Sequence, residues 1–163
     1  MSCRKACLIL LIAITGSATA QAPDEPVTIS ADYARFSQSD GTGLYEGNAE
    51  LEQGNRRLRA DRIRLFTEDG ELVRIEAEGD PLTLTEGDEL NARAKRLEYL
   101  VREQRITLRE DAHITHMERS FTGARIDYDL ASRQVEASGD GEQRVRLVIP
   151  GKALPGGGNG ETP

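Results

Sequence analysis

The sequence has 163 residues, a formal net charge of −7, 30% charged residues, 4% aromatic residues and no tryptophan. That length suits one domain, and the acidic balance excludes a general nucleic-acid binder, which needs a basic surface to displace counterions from phosphates. So few aromatic side chains do not fill a thick core, and the composition suits a thin or partly open β-structure.

The chain opens with Arg4 and Lys5, an apolar run from Ala6 to Thr15 and the small-x-small triplet Ala18-Thr19-Ala20. Residues 1–20 therefore read as a secretory signal peptide, the apolar run being about half of the roughly 20 residues that a membrane span needs. Cleavage after Ala20 removes Cys3 and Cys7, leaving no thiol, no disulfide and no lipid anchor. It also removes two positive charges and makes the mature chain more acidic still. Residues 21–26 (QAPDEP) form a linker, residues 27–150 the domain and residues 151–163 (GKALPGGGNGETP) a disordered tail.

From Val27 onward apolar residues alternate, as on a strand with one face inward. Val27, Ile29 and Ala31 are followed, after a step of three instead of two, by Ala34 and Phe36. Residues 37–43 (SQSDGTG) turn the chain into a strand from Leu44 to Leu51, which crosses Gly47-Asn48 and ends at the Gln53-Gly54-Asn55 turn. The fullest unit follows: Leu58 and Ala60, the same slip, then Ile63 and Leu65, and an Asp69-Gly70 hairpin signature. Val73, Ile75, Ala77, Leu82 and Leu84 lead to a turn at Glu86-Gly87-Asp88. The third unit carries Leu90, Ala92, Ala94, the slip, then Leu97, Tyr99 and Val101. It turns at Arg102–Gln104 and returns through Ile106, Leu108, Ala112 and Ile114; period two here overrides the helix propensity of residues 97–105. A fourth unit spans Phe121 to Ala137, and a last strand through Val145, Leu147 and Ile149 stops at Pro150.

The slips follow Ala31, Ala60, Ala94 and Gly123, at spacings of 29, 34 and 29 residues. This marks an internal β-repeat, each slip being a bulge or bend that restores the inward direction after a corner. A second mark recurs at Glu46-Gly47-Asn48-Ala49, Glu78-Gly79-Asp80-Pro81, Glu110-Asp111-Ala112 and Ser138-Gly139-Asp140-Gly141. Its Gly, Asn and Asp residues suggest tight turns.

Catalytic signatures are missing. No G-x-S-x-G elbow or P-loop occurs, and no cofactor is expected. His113 and His116 would point to opposite faces of a strand, which leaves no metal site. Carboxylate pairs such as Asp61 with Asp69, or Asp127 with Asp129, read as solvated faces among 28 acids. Arg57, Arg59, Arg62 and Arg64 fall on the face opposite the apolar one, as a charged outer surface of an exposed sheet. What remains is the inner face, with Val27, Ile29, Phe36, Ile63, Leu65, Ile75, Leu82, Leu84, Leu97, Tyr99 and Val101 as candidate contacts for an apolar ligand. The terminal strands, through Val27, Thr28 and Ile29 and through Val145, Leu147 and Ile149, carry no blocking proline and could accept partner strands.

In order and spacing, the segments YEGNAELEQG from Tyr45, LRADRI from Leu58, AEGDP from Ala77 and RLVIP from Arg146, together with the signal peptide, resemble the OstA-like family. Its members include the LptA-type bridge proteins of lipopolysaccharide export. The likeness covers about residues 27–150. It implies an all-β, open, twisted antiparallel jelly-roll, a non-enzymatic role in the periplasm, and lipid A acyl chains in the apolar trough. It also implies head-to-tail homo-oligomers between an LptC-like inner-membrane subunit and an LptD-like outer-membrane translocon. The alternatives are a structural or adhesive secreted β-repeat with a filled core, and a carbohydrate-active enzyme.

Overall fold

The structure, a computed structural model, describes residues 25–151. The expected signal peptide with its cleavage site and both cysteines, the first part of the linker and residues 152–163 of the tail lie outside the described residues.

Among the described residues the elements are all strands: β1 (Thr28–Ser30), β2 (Tyr33–Ser37), β3 (Thr42–Gln53), β4 (Arg56–Glu68), β5 (Glu71–Glu86), β6 (Leu90–Leu100), β7 (Arg105–His116), β8 (Arg119–Asp129), β9 (Gln134–Ser138) and β10 (Arg146–Val148). They form one antiparallel sheet in the order β1-β3-β4-β5-β6-β7-β8-β10, with β2 also beside β3 and β9 also beside β8. The first and last strands do not pair, so the jelly-roll is open, as expected. Residues 97–105 are strand to Leu100, turn over 101–104 and strand again at Arg105, not helix. The last strand is shorter than the alternation suggests, covering Arg146–Val148 only.

Every long strand breaks register at the same level, which folds the sheet along a single crease. Glu46 pairs with Arg62 and Ala49 with Ala60, so three steps on β3 match two on β4. From Glu78 to Leu82 four steps on β5 match two on β6, and from Arg109 to Ala112 three steps on β7 match two on β8. The two marks of the repeat are thus two sides of one structure. Slips after Ala60, Ala94 and Gly123 take β4, β6 and β8 over the crease, while Gly47-Asn48, Gly79-Asp80-Pro81 and Glu110-Asp111 take β3, β5 and β7 over it.

The expectation that the second mark makes tight turns is therefore corrected at its first three occurrences, which lie within β3, β5 and β7, whereas Ser138-Gly139-Asp140-Gly141 does leave the end of β9 in an irregular connection to β10. Gly47, Asn48, Glu110 and Asp111 do take positive φ, at 79°, 47°, 62° and 55°, but within strands. In β3 and β7 this left-handed conformation bends the bulged strand, whereas β5 crosses the crease at Gly79-Asp80-Pro81 without a positive φ. At the edges the same crease splits a strand in two, β1 from β2 and β9 from β10. Gly47 admits the split edge: Asp32 N–H donates to its carbonyl at 2.9 Å, and an added Cβ would lie 2.6 Å from an Asp32 carboxylate oxygen.

The crease divides the sheet into two arms with facing inner surfaces. Arm A holds β1, β10 and the crease-to-tip halves of β3–β8 that end in the turns at 54–55, 87–89 and 117–118; arm B holds β2, β9 and the other halves. Beside the crease arm A offers small residues, with Ala49 opposite Ala60 and Ala112 opposite Gly123. Arm B answers with a row of Ile63, Ala77, Leu97, Leu108 and Ile126. Small against large lets the layers interlock, and Ile63, Leu82, Leu108 and Ile126 have no exposed surface. Successive turns are tied by backbone bonds as well: Gly87 N–H donates to Asn55 O, Met117 N–H to Glu89 O and Leu130 N–H to Gln104 O.

Candidate functional site

The inner faces meet in a narrow apolar cleft of about 40 Å³. Leu51, Leu58 and Leu84 line it from arm A, with Gln53 and Arg56, and Ile75, Leu97, Tyr99, Ile106 and Leu130 line it from arm B. Of the residues expected from sequence, Ile75, Leu84, Leu97 and Tyr99 lie in this cleft. Ile63 and Leu82 are sealed at the crease, and Ile29, Leu65 and Val101 are half-buried. Val27 and Phe36 stand open at the β1–β2 edge, Phe36 being 61% exposed. Leu51, Leu58 and Ile106 also line the cleft, and the same alternation marks them as inward-facing. Leu130, in a turn, carries no alternation signal, and Arg56, at a strand end, reads in sequence only as the first arginine of the basic run Arg56–Arg64, whose outer-face reading it departs from by lining the cleft.

The far end of the cleft is a mouth of polar and aromatic side chains. Arg56 binds Glu86 on arm A, with Nε and Nη2 each 3.3 Å from a carboxylate oxygen. Arg133 on arm B reaches Glu89 on arm A at 3.4 Å. His116 of arm A meets Tyr128 of arm B with ring centroids 5.5 Å apart. Burial pushes the Tyr99 and Tyr128 phenols above the usual tyrosine range, Glu86 adding to the rise and Arg56 opposing it. His113 faces the opposite way, within 3.0 Å of Thr122 Oγ1, and its pKa is lowered by burial and then by Arg93.

The outer face is an ion-pair lattice. Arg57 joins Glu50 and Glu52, Arg62 joins Glu46 and Glu78, and Arg64 joins Glu76. These arginines therefore have carboxylate partners on adjacent strands, as an outer solvated face requires. Asp127 accepts from Arg125 Nε at 2.6 Å and from Thr107 Oγ1 at 2.7 Å. Asp129 accepts from the Ser132 backbone and hydroxyl. Both carboxylates are held below their ordinary range, Asp127 chiefly by the Arg125 bond and Asp129 by the Ser132 backbone bond. Neither faces the cleft.

Both sheet edges carry exposed apolar side chains. Val27, Tyr33 and Phe36 stand at one, and Val145, Leu147, Val148 and Ile149 at the other. Of these, Phe36 pairs with Gly43 and Leu147 with Phe121, which puts both on the inner face. The expected edge residues Thr28 and Ile29 lie in β1, Leu147 in β10, and Val27, Val145 and Ile149 just outside those strands. Sequence reading missed that β2 and β9 extend these edges along arm B.

Known proteins resemble this chain in sequence and in fold. The chain is 24% identical to the lipopolysaccharide export system protein LptA of Haemophilus influenzae over 151 residues, 87% of this chain and 88% of the other. A 39-residue stretch is 59% identical to the LPS-assembly protein LptD of Pasteurella multocida, covering 24% of this chain and 5% of that one. The fold matches the crystal structure of LptH, the LptA-homologous periplasmic component of the lipopolysaccharide transport device of Pseudomonas aeruginosa. That match has a TM-score of 0.70 at 21% identity and covers 77% of this chain and 95% of the other. The model of the family described as "LptA/(LptD N-terminal domain) LPS transport protein" matches residues 28–134, more than half of the sequence, and the chain belongs to that family.

Proposed function

We propose that this chain is a periplasmic bridge protein of lipopolysaccharide export, an LptA-like carrier and not an enzyme. In this reading residues 1–20 direct export, residues 27–150 form the working domain, and the inner face shields lipid A acyl chains from water. Each buried CH₂ contributes about 0.8 kcal/mol, while sugars and phosphates stay outside. The observation that carries the reading is that the inner face is apolar from one sheet edge to the other and stays uncovered at both, at Phe36 and at Leu147. Copies stacked edge to edge would join their troughs into one path, with an LptC-like subunit at the β1–β2 edge and an LptD-like translocon at the β9–β10 edge.

A photo-crosslinker at Tyr99 or Leu84 tests the lipid site: it should capture lipopolysaccharide, and one at Arg62 or Arg64 should not. Equal labelling at both sets would sink the assignment. Leu147→Pro tests the edge, because it removes a backbone donor from the outermost strand. Loss of C-terminal docking with lipid capture intact is expected. The narrow cleft also suits a structural β-repeat with a filled core. Mass spectrometry of protein extracted from envelopes separates the two, since only a carrier retains lipid.

A further inference from the structure

The two arms are continuous at the crease, so only side chains join their tips. Arg133 lies in the β8–β9 turn of arm B and Glu89 in the β5–β6 turn of arm A, 44 residues apart in sequence, yet Nη1 and Oε2 approach to 3.4 Å. Among the described residues this is the one ion pair that links the arms; every other pair joins strands or turns of one arm or the crease. Arg133 also takes φ +57°, a left-handed conformation that Gly or Asn adopts with less strain.

Behind the pair the cleft measures about 40 Å³, far below the roughly 300–1,000 Å³ of ordinary ligand pockets. An acyl chain therefore enters only when the arms part. Parting them carries Glu89 away with arm A and leaves Arg133 unpaired at the water edge of an apolar channel. Arg56 lines the same channel from the other arm. A free guanidinium there matches a phosphate oxygen pair in charge and geometry.

We propose that Arg133–Glu89 is a latch that holds the mouth shut in the lipid-free protein. Once released, Arg133 takes a phosphate of the amphiphile whose chains fill the cleft. The phosphate contact rests on the lipid-carrier reading, whereas the latch does not. With side chains 56% and 63% exposed, the pair biases the closed form by about two- to fivefold, and salt weakens it. Such a latch is easily opened, as a carrier on a transit path requires.

The test uses the chain without residues 1–20, which contains no cysteine, with spin labels at Asp88→Cys and Ala131→Cys, one in each turn. In the lipid-free protein Glu89→Ala and Arg133→Ala should each raise the population of long inter-label distances about two- to fivefold. The swap Glu89→Arg with Arg133→Glu should restore the short distance. Unchanged distances in both single variants overturn the latch. For lipopolysaccharide, Arg133→Ala should weaken binding about fivefold and Glu89→Ala should not, and the difference should vanish with enzymatically dephosphorylated lipopolysaccharide. Equal losses in both variants, or a loss that persists without phosphates, overturn the phosphate contact. A wild-type protein that takes up neither lipid overturns that contact together with the carrier reading, while the lipid-free distances still decide the latch.

Discussion

The crease and the mouth lie on the same strands yet are built from different materials. At the crease Ile63, Leu82, Leu108 and Ile126 are wholly buried against alanines and Gly123, and burial of each large side chain stabilises by about 1.5–3 kcal/mol. At the mouth, among the described residues, one solvent-exposed ion pair and one tilted aromatic contact add about 1–2 kcal/mol to the apolar contacts of the cleft behind them. A single sheet is thus fixed at one level and loosely held at the other. The difference places stability where no ligand reaches and compliance where one would enter.

The largest expected effect lies at the crease. Leu108→Ala should lower unfolding free energy by about 2–5 kcal/mol, measured by urea denaturation. A loss below 1 kcal/mol would mean that the crease is no more firmly packed than the mouth. Gly47→Ala should cost about 1–3 kcal/mol, since it combines positive φ with a Cβ that meets Asp32. Its thermal unfolding midpoint should fall while the same change at Gly70, which has open space around it, gives a smaller drop.

On the outer face, Arg125 and Thr107 hold the Asp127 pKa down. Its stabilisation is complete above the unfolded carboxylate pKa of about 3.9 and is lost as pH falls through the lower folded value. Asp127→Asn should therefore remove about 1 kcal/mol at neutral pH and flatten the acid limb of the stability curve. Smallest of all, Glu89→Ala should change unfolding free energy by less than about 1 kcal/mol, although it loosens the mouth. A large loss of stability there would erase the contrast between the two regions.

The repeat, the strands and the inward face were legible because period-two alternation is written residue by residue, and a slip after Ala60 or Ala94 displaces every following side chain. The family's residue order was legible for the same reason. The cleft was less so. Ile75, Leu84, Leu97 and Tyr99 were found from their phase, but the phase alone does not say that Ile63 and Leu82 are sealed while Phe36 lies open. That depends on distance from the crease and from the sheet edge.

By itself the sequence determined an all-β chain with four bends in register, one apolar face and one charged face, because these follow from local chemistry and spacing. Only the tertiary structure decided that Gly47-Asn48 and Glu110-Asp111 bend strands instead of ending them, since positive φ serves either purpose and strand pairing selects between them. It also decided that Arg133 meets Glu89. Neither residue stands out in a linear reading, and their meeting depends on a fold that brings together turns 44 residues apart.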